Sequence, residues 1–267
     1  MASTQPELWV VQLGQVEYLE ALALQERVRG ARQAGLVPDV MLLLEHPRVY
    51  TRGRRSAPGE LSMGEEWYRS QGIEIVEVNR GGKITYHGPG QLVGYPIVAV
   101  DDVVEYVRTL ERGLVAALAQ QGIQARARPQ DGPDYTGVWV DDRKIASIGV
   151  HVARGVTTHG FAVNVDNDLA PFGWVVACGL PDVTMTSIAA ESREHAGGGG
   201  GGGGDGSAGG AWGARRGDSG DGEGDEELLR CFRRRTAYCV AEALGHRQRL
   251  VSLARLEQAL GAAPAAV

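Results

Sequence analysis

Eight consecutive glycines, Gly197 to Gly204, set the first limit on what this chain can fold into. Glycine has no side chain to pack and loses the most backbone freedom on ordering, so such a run reads as a flexible linker or surface loop. Gly-, Asp- and Ser-rich sequence continues to about Gly224. Beyond it, Leu229, Phe232, Thr236, Cys239 and Ala243 fall at helical spacing, and Leu253, Leu256 and Leu260 mark a short last helix. Two helices of that size do not make a second core. The expectation is a single domain over 1–267, interrupted at about 197–224, with the last helices packed back on the main sheet.

Before the break, hydrophobic spacing gives the elements. Trp9-Val10-Val11 reads as a strand, and Tyr18, Ala21, Leu24, Val28 and Ala31 as one helix face. Val40 to Leu44 is a continuous apolar run, the pattern of a buried strand. Ile73 to Val78 alternates, and Tyr95 to Val100 is a further strand. Val103, Val107, Leu110, Leu114 and Ala117 define the clearest helix, with Gly122 as its stop. Gly137 to Val140, Asp141-Asp142 and Lys144 to Val152 read as strand, tight turn, strand, and Thr158 to Val165 adds another. Many strands in series with few helices point to an α/β fold of the α+β type: a mixed sheet flanked by helices.

Charge and cysteine usage exclude several classes. A net charge of −6 and a pI near 5.6 argue against a general nucleic-acid binder. No apolar run approaches the roughly 20 residues that span a bilayer. Met1 to Pro6 is polar and does not read as a signal peptide. The three cysteines, Cys178, Cys231 and Cys239, have no CxxC spacing, so neither a disulfide framework nor a zinc site is expected. The reducing cytoplasm is the expected location. His46, His151 and His159 form no HxxxH or HExxH pattern, and no metal or cofactor is assigned.

Three features could carry chemistry. Arg80 to Gln91 (RGGKITYHGPGQ) joins paired glycines, which offer backbone N–H groups, to the polar tips of Tyr86 and His87. An ordinary glycine-rich hairpin loop explains it equally well. Cys178 lies in the apolar run Val175 to Pro181, where a lone cysteine ordinarily reads as buried and inert, but Gly179 and Pro181 mark a turn at which the thiol can be reached; Cys239 falls on an apolar helix face and reads as core. Lys144 follows Asp141-Asp142-Arg143 and, taken alone, reads as a solvated charge at a turn. A free thiol is only about 3% thiolate at pH 7. An ammonium beside it would raise that fraction, and the neutral amine could then accept a proton from an incoming amine. Arg52, Arg54 and Arg55 form a small basic cluster, suited to solubility or to an acidic partner.

The segment Arg80 to Gln91 closely resembles the signature of the lipoyl(octanoyl) transferases. So do Leu42 to Pro47, Arg143 to Gly149, His159 to Asn164 and Ala177-Cys178-Gly179, in the same order, so that the likeness runs from about Trp9 to Ile188. The resemblance implies a fold shared with the biotin and lipoate protein ligases. It implies octanoyl-acyl-carrier protein as donor. It implies as acceptors the lipoyl domains of 2-oxo acid dehydrogenase complexes and of the glycine cleavage H protein. By position, Cys178 becomes the acyl-thioester nucleophile and Lys144 its partner. Arg80, Gly81, Gly82, Lys83, Ile84, Thr85, Tyr86, His87, Ser147, Ile148, Gly149, Gly160, Phe161 and Ala162 become walls of the acyl site. The glycine-rich insertion and the basic Thr51 to Arg54 depart from the family's pattern. Two other readings stand beside this one: an ATP-dependent lipoate or biotin ligase on the same fold, which needs no nucleophilic cysteine, and a non-catalytic lipid-carrying scaffold.

Overall fold

The computed structural model of the protein describes residues 5–57, 59–175, 183–197 and 222–261. Its elements in chain order are β1 (Glu7–Gln15), α1 (Tyr18–Gln33), β2 (Asp39–Glu45), β3 (Val49–Arg52), α2 (Glu65–Ser70), β4 (Glu74–Glu77), β5 (Ile84–His87), β6 (Gln91–Ile97), α3 (Val103–Ala119), β7 (Arg126–Ala127), β8 (Gly137–Val140), β9 (Arg143–Ala153), β10 (Val156–Asn164), α4 (Ile188–Gly197), α5 (Gly222–Ala243), β11 (Arg247–Leu250) and α6 (Leu253–Gly261).

The unbroken apolar run of β2 leaves that strand no solvent face, and it lies in mid-sheet between β1 and β6. Its Met41 and Leu43 point to one side, against α3 and α5, and its Val40, Leu42 and Leu44 to the other, against α1 and α6. The large sheet runs β11-β1-β2-β6-β10-β9-β8-β7. Pairing is parallel through β11, β1 and β2 and antiparallel from β2 to β7. This is the expected mixed sheet flanked by helices. A second sheet, β4-β3-β5, encloses its own cluster of Tyr50, Tyr68, Ile84, Tyr86 and Phe172.

Several expectations shift in detail. The strand expected from Tyr95 begins at Gln91, and its period is hidden by Gly94, where a Cβ would lie 2.1 Å from the Phe161 ring. Residues Glu74–Glu77 do not alternate in burial, because β4 is an exposed edge of the small sheet. Leu24 is only partly covered; Gln25 is the fully buried residue, its Oε1 accepting the His159 backbone N–H at 2.7 Å. At the C-terminal end Leu256 and Leu260 are buried as expected, while Leu253 is 41% exposed. α5 packs on α3 and carries the buried Cys239. The glycine run from 198 and the residues to 221 lie outside the described residues, and α5 starts at Gly222.

β11 is tied in by an ion pair with a pH consequence. His246 Nε2 donates to Asp39 Oδ2 at 2.8 Å and Nδ1 donates to the Leu244 carbonyl at 2.8 Å, so the imidazolium satisfies both nitrogens. The Asp39 hydrogen bond raises the His246 pKa against the opposing effect of burial. Burial would raise Asp39, but hydrogen bonds from His246, Arg32 and the Ala99 N–H outweigh it and hold the carboxyl below its usual range. A raised folded-state pKa means that this stabilisation is complete below about pH 6.5 and is lost as pH rises through the folded value. His246→Gln is therefore expected to lower stability by about 1 kcal/mol near pH 6, with the gap narrowing towards about pH 8. Urea midpoints for both proteins at the two pH values check this.

Candidate active site

A cavity of about 520 Å³ is walled by β5, β9 and β10 and by the first turns of α3. Loops 80–83 and 129–136 complete it. In β5, strand alternation decides which predicted residues reach it. Thr85 and His87 of β5 line it, whereas Ile84 and Tyr86, one residue out of phase, point into the cluster of the small sheet. Those two are therefore not walls of this cavity. Arg80, Gly81, Gly82, Lys83, Ser147, Ile148, Gly149, Gly160, Phe161 and Ala162 all line it. Ile148, Val150, Phe161 and Ala162, with Val103, Val104 and Val107 of α3, give it a largely apolar surface.

One end is polar and buried. Arg80 is 7% exposed and its guanidinium binds the loop and Thr51: Nη1 donates to the Gly81 and Lys83 carbonyls, and Nη2 to Thr51 O and Thr51 Oγ1, each at 2.7 Å. It thereby folds the 80–83 loop into a wall. Its charge lies near His87 and His159, two of three imidazoles that burial keeps neutral. Burial takes His46 down to about 4 and, with the nearby Arg80 charge, His159 to about 3. His87 lies well below 6.5, chiefly from burial and then from His46.

Hydrogen bonds fix the tautomer of His87. Gln91 Nε2 donates to Tyr86 O and to Asn164 Oδ1, and Asn164 Nδ2 donates to Thr186 O at 3.0 Å. Gln91 Oε1 must then accept from His87 Nδ1–H, at 2.8 Å, which leaves the lone pair on Nε2. By the same reasoning His46 donates from Nδ1 to Val16 O and accepts the Tyr95 hydroxyl proton at Nε2, 2.7 Å away.

Lys144 is not the solvated turn residue that its neighbours suggest. It is 2% exposed. The strand start it occupies is covered by residues 184–186: Lys144 N–H donates to Thr184 O at 2.9 Å, and Thr186 N–H to Lys144 O at 3.0 Å. Its Nζ lies 5.1 Å from the Trp139 ring centroid, and it lines the cavity. Cys178 lies outside the described residues. Val175 on one side of that segment and Met185 on the other pack with the small-sheet cluster, and Met185 also bridges Lys144.

Of the basic cluster, Arg54 and Arg55 line the cavity, and Arg55 pairs with Asp134 at 2.8 Å across it, while Arg52 pairs with Glu65 and Glu77. Tyr18, Tyr95 and His159 also line the cavity and were not legible as site residues. Tyr18 reads as a helix-face apolar residue and the other two as strand residues. The one sequence trace is polarity on otherwise apolar faces. Among the described residues no three His, Cys, Asp or Glu gather as a metal site.

Residues 17–196 match the model of the lipoyl protein ligase A/B catalytic domain. The chain belongs to this family. Within it the likeness is to octanoyltransferases. That of Solibacter usitatus is 48% identical over 183 residues, covering 67% of this chain and 81% of the relative. That of Mycobacterium avium is 46% identical over 193 residues, covering 69% and 78%. This member of the family is thus an acyltransferase. Among solved structures, a lipoate-protein ligase A bound with ATP has a TM-score of 0.67 at 16% identity, covering 96% of this chain and 92% of its own. A bipartite lipoate protein ligase from Thermoplasma acidophilum has 0.64 at 16%, covering 96% and 90%. At those identities the likeness is one of fold. No helix among the described residues is long and apolar enough to cross a membrane.

Proposed function

We propose that this enzyme takes an octanoyl group from octanoyl-acyl-carrier protein as a thioester on Cys178 and passes it to the lysine of a lipoyl domain. Lys144 carries the reading: a lysine 2% exposed in the wall of an apolar cavity has a role that a surface charge does not. Burying the six methylenes of an octanoyl chain contributes about 5 kcal/mol, which suits those walls. The acceptors meant are the lipoyl domains of 2-oxo acid dehydrogenase complexes and the glycine cleavage H protein, and the compartment is the cytoplasm.

The proton balance closes on two residues. Cys178 thiolate attacks the donor carbonyl. The carrier thiol leaves with a proton from the Lys144 ammonium. The acceptor amine then attacks the acyl-enzyme and gives its proton to the now neutral Lys144, while Cys178 leaves as thiolate. The resting pair is restored. The ligase alternative has the fold in its favour, but the relatives above 40% identity are octanoyltransferases.

The test is intact mass after mixing the protein with octanoyl-acyl-carrier protein without ATP. A gain of one octanoyl group, lost again on adding a lipoyl domain, is expected. Transfer that requires ATP and leaves no acyl-enzyme would overturn the reading in favour of the ligase.

A further inference from the structure

We propose that Trp139 is a positioning residue for Lys144, holding its ammonium in a slot formed by the indole face and the backbone of Gly137. The proposal rests on the transfer role given to Lys144 above. Trp139 is fully buried in β8, and its register partner across the hairpin is Lys144. The Lys144 Nζ lies 5.1 Å from the indole centroid, within the range where a cation is attracted by the ring quadrupole. The indole cannot turn freely, because its Nε1–H donates to Tyr135 O at 2.9 Å.

Gly137 supplies the other side. Its φ of +135° and the lack of a side chain are both required, since a Cβ there would sit 2.9 Å from Lys144 Cε and 2.3 Å from Ala146 O. Its N–H donates to Glu111 Oε1 at 3.0 Å, and Glu111 is 1% exposed. The Lys144 stem therefore runs along a glycine held from behind by a buried carboxylate, and its head meets an aromatic face held by its own hydrogen bond. A lysine has four rotatable stem bonds, and this slot removes most of that freedom before any substrate arrives.

Other charges surround the slot. Glu111 pairs with Arg108 on α3, and Arg143 of β9 pairs with Glu191 of α4, which also bonds Thr186. Arg128 lies 5.0 Å from the same indole centroid, paired with Asp131 and Asp142. Of these only Arg128 touches the indole, and its ion pairs with Asp131 and Asp142 do not depend on Trp139, so a change in pH behaviour reports the indole itself.

The experiment compares Trp139→Phe and Trp139→Leu in steady-state transfer from octanoyl-acyl-carrier protein between about pH 6 and pH 9, with melting temperature and circular dichroism as folding controls. For the leucine variant kcat is expected to fall about tenfold with KM within about twofold, and the alkaline limb of the profile to move to lower pH. The sign follows because the ring favours the ammonium over the free amine. Phenylalanine keeps a π face and should recover most of kcat and about half of the shift. If the leucine variant does not fold, the phenylalanine profile alone decides. A lowered melting temperature with an unmoved profile in the folded variants would show Trp139 to be a packing residue only. Failure of the underlying reading is separable: Lys144→Met would then transfer at the wild-type rate, whatever Trp139 does.

Discussion

Lys144→Met is expected to slow alkylation of Cys178 near pH 7 by at least about tenfold and to abolish transfer to the acceptor lysine. In the proposed mechanism the ammonium favours the thiolate, and each unit by which a thiol pKa rises removes about nine-tenths of the reactive species at neutral pH. Methionine has similar length, so the space between Trp139 and Gly137 stays filled while both the charge and the proton acceptor are lost. The alkylation profile should move to higher pH. Lys144→Arg separates the two functions. Guanidinium keeps the charge, so alkylation recovers in part, but it does not give up its proton, so acyl-enzyme accumulates instead of turning over. The arginine must also fit beside Gly137, where a Cβ would already be within 2.9 Å of the lysine stem, and some loss of stability is expected. Iodoacetamide rates against pH, with acyl-enzyme followed by mass spectrometry, check all three proteins. An unchanged profile in Lys144→Met would mean that another group activates the thiol.

Cys178→Ser is expected, on the proposed thioester mechanism, to remove acyl-enzyme formation and transfer entirely, because a serine hydroxyl stays protonated at a pH where a thiol ionises readily. Cys231→Ser and Cys239→Ser should keep most activity. Cys231 is a partly exposed residue of α5 whose Sγ contacts Glu227. Cys239 is 4% exposed between α5 and α3, where burial pushes its thiol pKa up and so away from reactivity. Its serine replacement should cost stability rather than rate, at most about 1 kcal/mol, because a buried hydroxyl loses hydration but keeps the Gln120 Nε2 donor that now reaches the sulfur. Transfer by Cys178→Ser near the wild-type rate would end the thioester reading.

The parts of this molecule that were legible in the sequence are those whose burial is periodic along one segment. α1 and α3 show their faces at steps of three and four, and β2 shows its central place by having no polar residue from Val40 to Leu44. The hairpin of β8 and β9 is marked by Asp141-Asp142, where Asp141 adopts a φ of +50°. What could not be read depends on contacts between distant segments. Lys144 looks solvated because the turn before it is charged, and only the return of residues 184–186 covers it. Tyr18, Tyr95 and His159 meet in one cavity from α1, β6 and β10, and no local pattern brings them together. β11 was missed because Arg-Gln-Arg-Leu, exposed along its length, carries no apolar signal.

That last strand has a consequence for how copies of the protein meet in solution. An open sheet edge offers unpaired amide and carbonyl groups to any other strand, and growth by edge addition is the route to aggregation. Here one edge is β7, only two residues long, and the other is β11, with Arg247 and Arg249 along it. Both are poor templates, one too short and the other charged. β1 behind it runs Leu-Trp-Val-Val through its middle and is nine residues long. Three polar residues of β11, Arg247, Gln248 and Arg249, thus act as a guard rail, keeping the stickiest strand of the sheet from facing another molecule.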